Sequence, residues 1–283
     1  MAKILIVGCG SIGMQLANTL SAKGHQMTGL KRHPPSRVTG DVNYFAADIT
    51  VSDQLNDLPL DFEIVYFIVS PDGRHEESYR AIYETGLDNL LSRLSQSSSP
   101  ARWIFVSSTS VYGQTQSEWV DELSNAQPVN ITSQLIRQAE QKLMALSTHN
   151  IVVRFSGIYG PGREYLLRLT RQSPVIQQDP PYYTNRIHQQ DCIGVLVFLC
   201  ECHLAGIPLE QCYVASDDDP APMWEVISWL AAQMNCQPPS IKMTDDTTEM
   251  NKRCSNQRLK ALGYTFKYPN YKSGYLELLV DYV

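Results

Sequence analysis

With 283 residues, 43% of them hydrophobic, the chain is long enough to bury a sizeable core and suits one ligand-binding domain plus a smaller lobe. A formal net charge of -6 and the lack of any long basic run argue against nucleic acid as the main partner, because binding a phosphate backbone needs clustered Lys and Arg; a small molecule fits better. No apolar stretch approaches the length of a membrane span, and a glycine loop beginning at residue 8 leaves no room for a signal peptide ahead of it, so a cytoplasmic protein off the membrane is expected.

The first element is the apolar run Ile4 to Val7, a strand, followed at once by Gly8-Cys9-Gly10-Ser11-Ile12-Gly13 and then by Ile12, Leu16 and Leu20 at helical spacing. Strand, glycine turn and helix in this order predict a dinucleotide site. The first glycine permits the turn, the second lets the backbone approach a pyrophosphate, and the third lets helix and strand pack closely, with the helix N-terminus facing the phosphates. Gln26 to Leu30 is the second strand, and after it an NAD enzyme usually carries an acid for the ribose 2′-hydroxyl. Here Lys31 and Arg32 follow instead, an ammonium beside a guanidinium, which attract a 2′-phosphate; NADP(H) is favoured over NAD(H).

Further strands are expected at Val42 to Phe45, Ile64 to Val69, Trp103 to Ser107 and Ile151 to Phe155, with helices at Glu76 to Leu94 and Thr132 to Leu146 between them. This alternation predicts an α/β fold, a Rossmann-type doubly wound parallel sheet spanning residues 1–155. After Phe155 a run of Gly and Pro breaks the alternation, which predicts a smaller C-terminal substrate lobe over 156–283, with the core rejoined by 190–216 through a helix at Ile193 to Cys202 and a strand near Tyr213 to Ala215. Helices are expected around Met223 to Met234, Gln257 to Leu262 and Tyr275 to Val280.

Seven cysteines at irregular spacing suit a reducing compartment rather than a disulfide framework. Cys200-Glu201-Cys202-His203 continues an apolar helix and has no second ligand pair, so no metal site is expected. Asp217-Asp218-Asp219 before Pro220 is expected to be a solvated loop.

Together these segments resemble the extended short-chain dehydrogenase/reductases, the NAD(P)-dependent epimerases and dehydratases of nucleotide-sugars. The resemblance rests on the glycine loop, on Asp48-Ile49, on Gly86-x-x-Asn89-Leu90-Leu91, on Ser107 to Gly113, and on Arg154 to Gly162. It implies that Asp48 and Ile49 contact the adenine, that Val69 and Ser70 pass beside the cofactor, and that Phe155, Ser156, Gly157 and Ile158 border the nicotinamide. The loop is the shorter Gly-x-Gly-x-x-Gly rather than the family's more frequent Gly-x-x-Gly-x-x-Gly, which points to an atypical branch.

The family's chemistry uses a Tyr-x-x-x-Lys pair, whose lysine lowers the pKa of the tyrosine so that the phenol can exchange a proton. Residues 113 to 158 contain no tyrosine and one lysine, Lys142, so the pair is absent in any register; Thr132 and Ile136 align with it. A slip of one residue gives Ser133 and Arg137, a hydroxyl too weak as an acid and a cation within reach of a ribose. Tyr83 stands near the position of the family's helix asparagine. Ser108 aligns with the Ser or Thr that hydrogen-bonds the reacting oxygen. Tyr112, Tyr159 and His188 are the remaining candidates for acid/base work, and Arg163, Asn185 and Arg186 for holding an anionic substrate group, each with an alternative reading as a structural contact.

Two functions follow: an NADP(H)-dependent oxidoreductase acting on a nucleotide-sugar or another phosphorylated small molecule, or a sensor or interaction protein that keeps the dinucleotide without the chemistry. A homodimer through the helices on the sheet's outer face stays open, since burial within one chain gives the same apolar pattern.

Overall fold

The computed structural model describes residues 1–35, 41–243 and 251–282. These residues fall into two compact units, one of Met1–Val111, Pro128–Arg154 and Val195–Cys212, the other of Tyr112–Gln127, Phe155–Gly194 and Tyr213–Val283.

The doubly wound sheet expected from the alternation is observed. Strands β1 (Lys3–Val7), β2 (Gln26–Lys31), β3 (Val42–Ala46), β4 (Ile64–Phe67) and β5 (Arg102–Ser108) join Ile151–Phe155 and Cys212–Ala215 in a seven-stranded sheet. Its order is Cys212–Ala215, Ile151–Phe155, β5, β4, β1, β2, β3. The registers of β1 with β2 and β4, of β2 with β3, and of β4 with β5 are all parallel. Chain order reverses between β1 and β4, and ligands of open α/β sheets bind at the carboxyl ends of strands at such a reversal.

The central strands are near-continuous apolar runs because both their faces are covered. Ile4 to Val7 and Ile64 to Phe67 are fully buried, as are Leu16, Ala17 and Leu20 of helix α1 (Ser11–Ala22). Phe67 and Phe105 stack at 5.6 Å between ring centroids. The helical stretch Glu76 to Leu94 is not one regular helix, as the periodicity predicts. It runs as α2 (Glu76–Arg80), widens into a π-helical turn over Ala81–Gly86, and resumes as α3 (Leu87–Leu94). Such widenings re-aim side chains locally. Helix α4 (Ile131–Leu146) starts at Asn130, whose Oδ1 accepts the Ser133 N–H at 2.8 Å, the usual capping role of asparagine.

The second unit has its own core of Leu167, Val226, Ile227, Leu230, Tyr271, Tyr275 and Leu279 around Tyr159. Short ladders that the sequence does not announce stitch it together. Arg186–His188 pairs in parallel with Gly157–Tyr159, and Lys252–Cys254 pairs in parallel with Glu118–Val120. Among the described residues no helix is long and apolar enough to cross a membrane.

Candidate functional site

The glycine loop sits where β1 hands over to α1, and each of its three glycines answers a different steric demand. Gly8 has φ +89°, and a Cβ there would lie 2.6 Å from the Ile68 carbonyl oxygen. A Cβ on Gly13 would lie 2.6 Å from the Gly8 oxygen, so helix and loop touch backbone to backbone. At Gly10 a Cβ would meet nothing within 4 Å. The crowded glycines build the turn, and the open one leaves a cradle for a ligand. No side chain caps α1 at Gly10 and no acid stands in its first turn, so the N–H groups at Ser11 and Ile12 carry the helix's positive end unopposed.

Around this loop lies a cleft of about 530 Å³, lined by Gly8, Cys9 and Gly10, by Lys31 and Arg32 at the end of β2, by Asp48, Ile49 and Thr50 after β3, and by Val69 and Ser70 after β4. The cleft thus gathers the glycine loop, Lys31 and Arg32, Asp48 and Ile49, and Val69 and Ser70, while Ser108 and Tyr112 are not on its lining. Its floor is held from behind. The Ile49 carbonyl accepts Asn89 Nδ2 at 2.9 Å, and Gly86 leaves room for Ile49, since a Cβ there would lie 2.7 Å from its Cδ1. Thus Gly86-x-x-Asn89 fixes the loop after β3. Tyr83 donates its hydroxyl to the Val69 carbonyl at 3.3 Å and steadies the opposite wall. The widened turn sets Ala81 and Ile82 on the cleft lining as well.

Arg32 is already engaged. Its Nη1 and Nη2 donate to the two carboxylate oxygens of Asp72, both at 2.6 Å, and both side chains are at least half exposed. The guanidinium holds the Asp72 carboxyl below its ordinary range. Asp48 Oδ1 accepts the backbone N–H and hydroxyl of Thr50 at 2.9 and 2.7 Å, closing a local turn. Cys9 is buried, and burial pushes its thiol up against the opposing influence of Tyr44 and Lys31. Asp72, Thr50, Ala81 and Ile82 are cleft residues that sequence reasoning missed: Thr50 and Asp72 lie just beyond the short motifs after β3 and β4, and Ala81 and Ile82 belong to the widened turn that the helical period does not show.

Ser108 ends β5, half buried, and its Oγ accepts the Ser110 N–H at 3.1 Å. Beside it, Ser107 donates at 2.5 Å to Glu140, a fully buried carboxylate that also holds Arg154 and Arg137, each at 2.7 Å. This network ties α4 to two strand ends, and it occupies Arg137. Ser133 donates to the Ser110 hydroxyl at 2.9 Å.

The other candidates belong to the second unit. Tyr112 is buried, and its hydroxyl donates to the Asp121 carbonyl at 2.6 Å. Tyr159 is buried with its hydroxyl unpartnered, and its ring stacks on Tyr275 at 4.5 Å. Burial, with the nearby Asp217 carboxyl, pushes its phenol far up. His188 is buried between Tyr159 and Tyr268, with ring centroids at 5.2 and 4.0 Å, and burial lowers its pKa. Its Nδ1 accepts the Gln190 N–H at 3.3 Å.

Asn185 has both ends of its amide in use, to the Lys252 carbonyl at 2.9 Å and from the Cys254 N–H at 2.7 Å. Arg186 is buried, donates to Thr184, and lies 5.4 Å from the Tyr271 ring. Arg163 is exposed after its Gly-Pro-Gly turn. Phe155 and Ser156 are buried, and the Ser156 and Gly157 N–H groups donate to the Ala215 and Asn185 carbonyls, both at 3.1 Å, while Ile158 is level with Ile187.

Asp217 departs from the solvated loop expected of three adjacent acids. It is buried, its N–H donates to the Arg186 carbonyl at 2.7 Å, and burial drives its carboxyl well above the usual range. The field of the buried Arg186 opposes that rise, and the approach of these two segments is not visible in local sequence.

The whole-chain comparisons agree with this geometry. Protein YeeZ of Escherichia coli strain K12 is 27% identical over 281 residues, with 95% of this chain and 97% of that protein covered. A Methylobacillus flagellatus structure described as of NAD-dependent epimerase/dehydratase type is 35% identical, with 99% of this chain and 98% of that one covered and a TM-score of 0.83. A Bacillus anthracis dTDP-glucose 4,6-dehydratase in complex with NAD shares the fold at 15% identity, with a TM-score of 0.76 over 97% of this chain and 94% of that one. The family model for NAD dependent epimerases and dehydratases matches residues 4–198, well over half of the chain. With its glycine loop, its reversal of strand order and this match in agreement, the chain belongs to the NAD dependent epimerase/dehydratase family.

Proposed function

We propose that the chain binds NADP(H) in the glycine-loop cleft and acts as an oxidoreductase of the epimerase/dehydratase type on a small molecule, a nucleotide-sugar or another phosphorylated compound. The observation that carries the reading is the cradle itself: open space at Gly10, an uncapped helix N-terminus behind it, and the cations Lys31 and Arg32 on the lining of the same cleft. Gly8, Gly10, Ser11 and Ile12 would hold the pyrophosphate, Lys31 and Arg32 the 2′-phosphate, and Asp48 and Ile49 the adenine. Such a cofactor supplies hydride exchange at its nicotinamide. Within the protein, Ser108 presents a hydroxyl to orient a substrate oxygen, held in place beside the buried Glu140 network.

Titration of cofactor-stripped protein with NADPH and NADH, followed by energy transfer from tryptophan and by calorimetry, tests the binding. Selective NADPH binding supports it, and binding of neither overturns it. Lys31→Asp is expected to cost NADPH about 1.5–3 kcal/mol, the worth of a hydrogen bond to a charged group, with little change for NADH; equal losses remove the 2′-phosphate argument. Ser108→Ala is expected to abolish most cofactor-dependent turnover.

A second reading has an observation of its own. Tyr112, Tyr159 and His188 are all buried, and no Tyr-x-x-x-Lys pair stands in residues 113 to 158. That combination favours a dinucleotide-bound sensor without chemistry. Tight NADPH binding, with no turnover against a panel of nucleotide-sugars and no effect of Ser108→Ala, selects it.

A further inference from the structure

At the opposite end of the sheet, where β4, β5 and Ile151–Phe155 begin, the first unit holds a second cavity of about 830 Å³. Ligands of this fold class sit at the carboxyl ends of the strands, so the glycine-loop cleft does not explain this space. Leu91, Pro100, Trp103 and Leu146 give it apolar walls, and Leu146 is 59% exposed although it belongs to an amphipathic helix.

The ions on these walls come in opposite signs. Glu63 and Arg102 stand at the ends of paired strands, with the Arg102 N–H donating to the Glu63 carbonyl at 2.9 Å, and Lys142 at the rim is paired with Asp88 at 2.5 Å. A charged ligand of either sign would give up water and meet a like charge as well as an unlike one. The cavity thus favours no ion, and an uncharged ligand escapes the cost of desolvation.

Its open polar group is a neutral ring. Burial lowers the pKa of His203, and Arg102 and His149 lower it further, while Glu63 opposes them, so the imidazole is uncharged at pH 7. Such a ring offers one N–H donor and one bare acceptor, the complement of a hydroxyl or an amide. His203 is half-buried, and among the described residues its ring has no hydrogen-bond partner.

Bases near helix C-termini often serve only to meet unpaired carbonyls, and three helices end here. That need is met by other groups. Helix Gln189–Leu204, which carries His203, closes on itself through the N–H groups of Ala205, Gly206 and Ile207, and α3 through those of Ser95, Gln96 and Ser97. At the end of α4, Asn150 Nδ2 donates to the Leu143 carbonyl at 2.8 Å, and Gln211 Nε2 to those of Met144 and Ser147 at 3.2 and 3.1 Å.

We propose that this cavity is a second small-molecule site, one for an uncharged ring compound that bears a hydroxyl or an amide. The ring lies on Trp103, Leu91 and Leu146, and its polar group meets the His203 imidazole, the usual make-up of a pocket with apolar walls and a few polar groups. Nothing in this assignment depends on which dinucleotide the glycine loop takes.

The probes are naphthalene, 2-naphthol, 2-naphthoate and 2-naphthylmethylammonium, the same rings with no polar group, a neutral one, an anion and a cation, each equilibrated by dialysis with the full-length protein. The naphthol is expected to bind one to one, about tenfold tighter than either ion and without response to salt. It should also bind about fivefold tighter than naphthalene, and His203→Phe should remove that advantage. Leu146→Gln should weaken naphthol and naphthalene alike, about fivefold, and it places the probe here rather than in the glycine-loop cleft. Failure of the naphthol to bind, or an ion that binds as tightly, overturns the proposal. So does a folded His203→Phe protein that keeps the advantage of the hydroxyl, or a folded Leu146→Gln protein with unchanged affinities. Should one variant not fold, the other decides together with the four probes on the unaltered chain.

Discussion

Arg32 and Asp72 grip each other through two parallel hydrogen bonds of 2.6 Å, and both residues belong to the lining of the glycine-loop cleft. A phosphate on the 2′-oxygen of a bound dinucleotide would compete with the Asp72 carboxylate for the same guanidinium. Asp72→Asn, which frees the fork and removes a negative charge, is therefore expected to tighten NADPH about tenfold and leave NADH nearly unchanged. Calorimetric titration of both cofactors checks it. A solvent-exposed pair of this kind contributes little to folding, so the melting temperature should barely move.

Gly10 and Gly13 are three residues apart and should fail in opposite ways. An added methyl at Gly13 strikes the Gly8 carbonyl, so Gly13→Ala is expected to lose about 1–3 kcal/mol of stability by overpacking. Gly10→Ala meets open space; it should fold within about 0.5 kcal/mol of the parent and lose most of its dinucleotide affinity. Urea unfolding paired with cofactor titration separates the two outcomes.

Glu140 is a buried anion held by Arg154, Arg137 and Ser107. Glu140→Gln leaves a buried guanidinium uncompensated, and a loss of about 3–5 kcal/mol in urea unfolding is expected. Loss below 1 kcal/mol would mean that the two arginines find water.

His188 makes stability pH-dependent in a defined direction. Burial lowers its folded pKa below the ordinary 6.5, with Asp191 and Glu277 opposing and Lys267 assisting. The unfolded chain therefore takes up the proton first. The contribution is complete above about pH 6.5 and is lost as pH falls from there through the lower folded value. His188→Gln should flatten the decline in melting temperature between pH 7 and 5.

Asp217 works with the opposite sign. Its folded carboxyl titrates well above the ordinary 3.8, so the native protein holds a proton that the unfolded chain releases, and stability declines as pH rises past 3.8. Asp217→Asn keeps the shape without the buried charge. Near neutral pH the variant should be the more stable protein by urea unfolding, with the advantage vanishing in acid.

Much of the first unit was legible because its signals are local. Apolar runs such as Ile4 to Val7 and the glycine spacing each state a backbone requirement within a few residues. The cleft residues Lys31, Asp48 and Val69 follow from that frame, since Lys31 ends β2 and the other two come just after β3 and β4. What stayed hidden depends on partners distant in sequence. Asp72 matters because Arg32 stands opposite, 40 residues away, and Asp217 is buried where its N–H meets the Arg186 carbonyl, on a strand the Gly and Pro run had concealed. The widened turn in Glu76 to Leu94 escaped for the same reason, as its Gly86 is explained by Ile49.

Tyr159 and Gly274 are locked in a way that limits how this lineage can change. A methyl at 274 would sit 2.0 Å from the phenolic oxygen and 2.7 Å from the ring carbon that bears it. Removing the hydroxyl alone would not make room, so a relative with alanine at 274 must also have given up the aromatic ring at 159. The constraint runs one way: a side chain at 274 demands that the ring at 159 go or move, whereas a smaller residue at 159 leaves Gly274 unstrained.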